Sequence, residues 1–123
     1  MLRRTGIIGF ILAALAPPAP CVPTTVRVSP DPGPTPNAAS AAPSISADGR
    51  FVAFVSTASD IVPDDVNGRT DVFVRDMVGG GTTCASVGPD GKSAGGAGAS
   101  ISGDGRYVAF VSSASLVAAD TNS

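Results

Sequence analysis

The sequence predicts an all-β protein built from two copies of one antiparallel repeat, and three observations predict this. Gly and Pro number 15 and 11 among the 123 residues, and both favour turns and short strands over long helices. All 10 acidic residues are Asp, which suits turns, whereas Glu and Gln, which suit helix interiors, are absent. The third observation is a long segment that recurs almost unchanged later in the chain.

The recurring segment is SISADGRFVAFVSTAS at residues 44–59, which returns as SISGDGRYVAFVSSAS at residues 100–115. Thirteen of these sixteen positions are identical at an offset of 56 residues. The three differences conserve size or chemical character. A chain that repeats a unit of this length is typical of proteins in which similar sheets stack on one another.

The first element in the chain is the segment 1–21, MLRRTGIIGFILAALAPPAPC. Arg3 and Arg4 precede an apolar run over 7–16, and prolines and small residues follow, which is the layout of a secretory signal peptide. We expect a helix here and export to the periplasm or the exterior. The run is shorter than the ~20 apolar residues of a membrane span. We therefore expect no stable span, and a lipid anchor on Cys21 is the less favoured alternative.

The next elements are an edge strand with a Pro/Ala-rich linker over 22–42 and a first full repeat over 43–99. Within this repeat, Asp48-Gly49 is a turn dipeptide that favours a tight hairpin. The apolar run that follows it is nearly continuous, which indicates a strand covered on both faces. A triplet of glycines predicts a second hairpin. The four predicted strands are 44–46, 50–56, 71–76 and 82–87.

The last element is a truncated second repeat over 100–123. Repeat units bury their faces against neighbours, and about three or more are usually needed for stability. We therefore expect either a fragment of a longer gene product or open strand edges that pair with other copies of the chain.

The runs PSISADGRFVAF at 43–54 and DVFVRD at 71–76 resemble the TolB-like, WD-type β-propeller repeats of bacterial envelope proteins. The resemblance implies antiparallel four-stranded propeller blades, about two of them here, forming an incomplete β-propeller preceded by the signal peptide helix. Blades of that family usually serve as binding or scaffolding surfaces, and some are fused to hydrolase domains.

The amino-acid composition excludes several classes of catalytic and binding site. His is absent, which excludes His-based triads, His general bases and His metal ligands. The net charge of −2 comes without a basic run, so nucleic-acid binding is not predicted. We predict that the chain is not an enzyme and has no catalytic residue or cofactor, apart from one candidate metal.

The candidate is calcium, held by the side chains of Asp65, Asn67 and Asp71. Closely spaced Asp and Asn oxygens around a Gly are typical of calcium loops. The alternative is an Asx turn that leads into the strand at Asp71. An EF-hand is excluded because its distal Glu does not exist in this sequence.

These observations favour a non-enzymatic β-propeller repeat protein that acts as a protein-interaction or scaffold module. Its partner is an unidentified protein, further propeller blades or another copy. Two alternatives stay open. One is the N-terminal propeller piece of a larger exported hydrolase, and the other is a calcium-binding repeat protein.

Overall fold

The computed structural model describes residues 11–13, 25–28, 36–63 and 65–119, and within these ranges the chain is all-β and antiparallel. None of the described residues forms a helix, and thus no helix there has the length and apolarity to cross a bilayer. The strands form one sheet of four and two sheets of two. They are β1 (Ile11–Ala13), β2 (Thr25–Arg27), β3 (Ser40–Ile45), β4 (Phe51–Ser56), β5 (Asp71–Asp76), β6 (Thr82–Cys84), β7 (Ala97–Ile101) and β8 (Val108–Val111).

The larger sheet is a meander in the order β3-β4-β5-β6, as the sequence predicted for one unit. The hairpin between β3 and β4 contains Asp48 and Gly49, and Gly49 has the positive φ of 72° that such a turn requires. The glycine hairpin between β5 and β6 closes through a bond from the Asp76 amide to the Gly81 carbonyl. Both predicted hairpins therefore form.

Strand β4 is covered on both faces, which confirms the expectation drawn from its continuous apolar run. Val52 and Phe54 belong to one core cluster, in which Phe54 stacks on Phe73 of β5 with ring centroids 5.6 Å apart. Ala53 and Val55 point the other way, into a second cluster. Alternate residues of a strand point to opposite faces, so a strand between two layers must be apolar at every position.

The sheet of β7 and β8 stacks on this second face of β4. Ala99 and Ile101 of β7 are buried against Ala53, Val55 and Val72, and side chains of β8 pack around them. Two hydrogen bonds join the layers at their edge. They run from the Ala47 amide to the Gly103 carbonyl, at 2.8 Å, and from the Ile101 amide to the Ser44 hydroxyl, at 3.1 Å.

The turns at the start of the two recurring segments make the same contacts. In the first, the Ser46 hydroxyl donates to Asp48 at 2.6 Å and accepts from the Phe51 amide at 3.0 Å. In the second, the Ser102 hydroxyl donates to Asp104 at 2.6 Å and accepts from the Tyr107 amide at 3.0 Å. The identical residues therefore build identical local structure.

Strand β3 begins earlier than the sequence indicated, within the stretch predicted to be a linker. It starts at Ser40, whose hydroxyl donates to Ser56 of β4, and it contains a register shift between Ala41 and Ser44. At this shift Ala42 has a φ of 51°, and Pro43, which has no amide hydrogen, follows it. A bulge lets the strand continue past the proline, which a simple alternation pattern does not reveal.

The predicted signal peptide lies outside the described residues except for β1. There the backbone is a strand instead of the expected helix, because it pairs in antiparallel register with β2. Strand β2 occupies the position of the predicted edge strand, and its described partner is β1. Next to β2, Val28 is buried against the Phe54 face of the larger sheet.

Candidate functional site

The loop from β4 to β5 and the first residue of β5 contain the three residues predicted to hold a cation. Within it, the Asn67 side-chain oxygen accepts a hydrogen bond from the Arg69 amide at 2.7 Å. Gly68, between them, has a φ of 63°. This is an Asx turn, the alternative that the sequence left open. The turn lies just before β5, between Asp65 and Asp71.

Asp71 is the first residue of β5 and is fully buried. Its Oδ1 accepts hydrogen bonds from the Ser86 hydroxyl at 2.8 Å and from the Gly95 amide at 2.9 Å. The Ser86 hydroxyl in turn accepts from the Val72 amide at 2.9 Å. One oxygen of Asp71 thereby fastens the chain beyond β6 to the edge of β5. The other, Oδ2, is buried and has no hydrogen-bond partner.

Asp65 lies beside Asp71 and is only 2% exposed. Its Oδ1 accepts one long hydrogen bond, of 3.3 Å, from the Ser93 hydroxyl, and its Oδ2 has no partner. Burial, followed by the negative charge of Asp71, raises the pKa of the Asp65 carboxyl. Loss of hydration and a like charge both disfavour the ionised form. The two carboxylates thus meet in a setting that offers them few donors.

Asn67 contributes to this arrangement by fixing the backbone of the loop. Its side-chain oxygen is committed to the turn, and its Nδ2 is buried without a hydrogen-bond partner. The structure therefore brings two of the three predicted side chains together as carboxylates, while the third shapes the loop. Among the described residues, no group of three or more His, Cys, Asp or Glu side chains converges on one point.

The sequence did not indicate Ser86, Ser93 or Gly95, the residues that complete the site. All three lie beyond β6: Ser86 falls within the strand predicted at 82–87, which ends at Cys84, and Ser93 and Gly95 lie in the Gly-rich stretch that follows. They reach the carboxylates because a bridge between Val87 and Ser93 folds that stretch back along the sheet. Small polar residues in a Gly-rich stretch carry no periodic signal, so only the folded chain identifies them.

Cys84 also lies near this cluster. Its Sγ is 3.5 Å from the Ser86 hydroxyl, and the side chain is partly buried against the Phe54 cluster. Burial raises the pKa of the thiol. A thiol held in its neutral form is a poor nucleophile.

A second feature is the outer face of the β7–β8 sheet, defined by Tyr107, Ala109 and Val111. Val111 is 68% exposed, whereas Val55, which occupies the same place in the first segment, is 8% exposed. Tyr107 is 67% exposed, whereas its counterpart Phe51 packs against the second cluster. The residues at these positions are equivalent in the two segments. They differ in whether a neighbouring sheet covers them.

Comparison with known proteins adds no relative to this description. No family model matches the sequence, and neither the curated proteins nor the solved structures that were searched gave a match.

Proposed function

We propose that this chain is a non-enzymatic, β-propeller-type repeat module of the cell envelope or exterior, which acts as a protein-interaction or scaffold surface. The apolar segment near the N-terminus supports the exported location. The absence of His and the structural role of the recurring residues support the non-enzymatic part. The proposed relation to TolB-like repeats rests on the sequence runs that resemble that family.

One observation carries the proposal: residues that are buried in the first segment are exposed at equivalent places in the second. Val55 is covered by the β7–β8 sheet. Val111 is 68% exposed, so none of the described residues covers it to the same extent. An apolar strand face of this kind is a surface that excludes water when a partner covers it.

The way the two sheets stack supports one kind of partner. Val108 and Phe110 of β8 pack against the Val55 face of the larger sheet. Their counterparts at an offset of 56, Val52 and Phe54, lie on the opposite face of that sheet. The two layers therefore stack front to back. Front-to-back contacts between similar layers extend wherever a further face is exposed, and they close into a ring or continue as an array.

On the opposite face of the larger sheet, Val52 and Phe54 are already buried with Val28, and the exposed part of that face is at Ile45. Ile45 is 43% exposed, whereas Ile101, its counterpart at an offset of 56, is buried against the neighbouring sheet at 8%. The outer face of β7–β8 thus presents one half of the contact already made inside the chain, and the Ile45 edge presents part of the other half. The partner that fits is a further sheet of the same kind, and a second copy of this chain supplies one.

Sedimentation velocity of the full chain over a range of concentrations tests this proposal. We expect the weight-average sedimentation coefficient to rise with concentration as fronts pair with backs. In Val111→Lys, a buried ammonium without a partner opposes the contact, so the rise should be strongly reduced. Val78→Lys is the matched control, because Val78 is 79% exposed at the β5–β6 turn, away from this face.

The proposal fails if the wild-type chain stays monomeric throughout, or if Val111→Lys and Val78→Lys associate as strongly as the wild type. Far-ultraviolet circular dichroism of each variant separates loss of association from loss of folding.

A further inference from the structure

The inference concerns the two carboxylates at the foot of β5 and does not depend on the proposed stacking. Asp65 is 2% exposed and Asp71 is 0% exposed, and each has an oxygen that no hydrogen bond satisfies. Buried polar groups in folded proteins are almost always paired. A buried carboxylate that keeps its charge needs several donors or a counter-charge. Two such oxygens at one place are satisfied either by a proton that the two carboxyls share or by a cation that both bind.

The donors around the pair are too few to balance two negative charges. Asp71 receives two hydrogen bonds, both on Oδ1, and Asp65 receives one long bond from Ser93 and a weak backbone interaction from Asn67. The ionic neighbour that acts on Asp65 is Asp71 itself, a like charge. A single proton shared by the two carboxyls would still leave one buried negative charge. A divalent cation neutralises both.

The surroundings match the requirements of a hard cation. Carboxylate, hydroxyl and carbonyl oxygens are the ligands that calcium prefers, in a site that tolerates irregular geometry. Here the Ser93 hydroxyl donates to Asp65, and the Asx turn at Asn67 fixes the loop that carries Asp65 next to Asp71. Ser93 also lines a surface groove together with Val62, Cys84 and Gly91.

We propose that Asp65 and Asp71 together bind one calcium ion, with Asn67 holding the loop in the shape that brings them together. The ion would join the β4–β5 loop to β5 and, through Ser93, to the segment beyond β6. It would therefore stabilise the side of the sheet where three separate stretches of the chain meet.

Calorimetric titration of the full, chelator-treated chain with calcium chloride tests this proposal, together with thermal melting in calcium and in EDTA. We expect a saturable heat for the wild type, a higher melting temperature in calcium, and weaker binding of magnesium, which demands stricter octahedral geometry. Asp65→Asn and Asp71→Asn should each weaken calcium binding at least tenfold and abolish the rise in melting temperature.

Asp90→Asn is the control, because it removes an exposed carboxylate from a neighbouring turn and should leave the response to calcium intact. Asp71 also holds Ser86 and Gly95, so its variant can unfold. Asp65→Asn then decides, since Asp65 has a long bond from Ser93 and a weak interaction with the Asn67 backbone, both of which an amide side chain can retain.

Two results would overturn the assignment. One is a folded wild-type chain that gives no saturable heat and melts at the same temperature in calcium and in EDTA. If Asp65→Asn then melts higher than the wild type in EDTA, the pair is a carboxyl–carboxylate contact that shares a proton. The other result is calcium binding that persists in Asp65→Asn. Neither result bears on the sedimentation behaviour, so the two proposals can fail separately.

Discussion

The side chain of Asp recurs in one local role, as an acceptor for backbone amides within a turn. Asp48 accepts from the Arg50 amide, and Asp104 accepts from the Arg106 amide. Hydrogen bonds from the preceding Ser hydroxyl, and then from these amides, lower the pKa of both carboxyls. A carboxylate one methylene from the backbone can reach amides two residues away. This geometry explains why Asp supplies all the acidic residues of so turn-rich a chain.

Asp76 combines this role with an ion pair. Its Oδ1 accepts from the Val78 and Gly79 amides, and Arg50 of the neighbouring hairpin approaches Oδ2 at 2.9 Å. The Arg50 guanidinium, followed by the Gly79 amide, holds the pKa of Asp76 well below its usual range.

A carboxyl with a lowered folded-state pKa stabilises the fold at any pH above its unfolded pKa of about 3.9. That stabilisation declines as the pH falls below this value and is lost as the pH passes through the folded pKa. We therefore expect Asp76→Asn to lower the melting temperature at pH 7 and to lower it by a smaller amount near pH 2, where part of the stabilisation has already been lost. Melting curves of both proteins across this range test the prediction, and an unchanged difference between them would contradict it.

At the scale of the element, the turn of the second segment serves as packing surface for the first. Gly105 has a φ of 72°, as Gly49 does in the equivalent turn. A Cβ added at Gly105 would lie 2.5 Å from the ring of Phe51, whereas one added at Gly49 would meet only Ile45, at 4.0 Å. The ring of Phe51 therefore lies directly on the backbone of the next turn.

The two glycines form a matched pair for mutation. Gly49→Ala should cost about 1–2 kcal/mol of unfolding free energy, because Ala adopts a positive φ unfavourably. Gly105→Ala should lose the same amount of unfolding free energy through the backbone. It should also displace Phe51, which adds a loss of about 1–3 kcal/mol, as overpacking usually does. Urea denaturation measures both. Equal losses would mean that Phe51 does not rest on the Gly105 turn.

At the scale of the whole molecule, the stacking of layers decides which apolar residues become core. Val55 and Val111 occupy the same position of the recurring segment, in strands of the same local sequence. Only Val55 lies between two sheets. The free energy of burying a side chain depends on the surface removed from water, so identical residues contribute unequally.

Replacing each valine by alanine tests this difference. Val55→Ala should cost about 2 kcal/mol, from the lost transfer free energy and the cavity left behind. Val111→Ala should change the stability by less than about 0.5 kcal/mol, as exposed substitutions usually do. Both are to be measured by urea denaturation at a concentration where the chain is monomeric. A similar loss for both variants would contradict the proposed order of the layers.

Local patterns in the sequence determined most of the larger sheet. The continuous apolar run over 51–55, the Asp-Gly turns and the glycine triplet are signals carried by residues near one another in the chain. Strand β5 accordingly has the predicted bounds, Asp71–Asp76, and β4 begins one residue after its prediction. Strand β3 departs from its prediction because a bulge at Pro43 interrupts the alternation.

Only the tertiary structure decided which faces are covered and which polar groups meet. The spacing of Asp65, Asn67 and Asp71 was visible in the sequence, but the partners Ser86, Ser93 and Gly95 lie 15 to 28 residues away from the carboxylates they contact. Their approach depends on the fold of a connection that has no periodic pattern of its own. Likewise, the sequence assigns Val55 and Val111 the same strand position. The stacking of the sheets buries Val55 and leaves Val111 exposed, because burial depends on the neighbouring layer as well as on the strand itself.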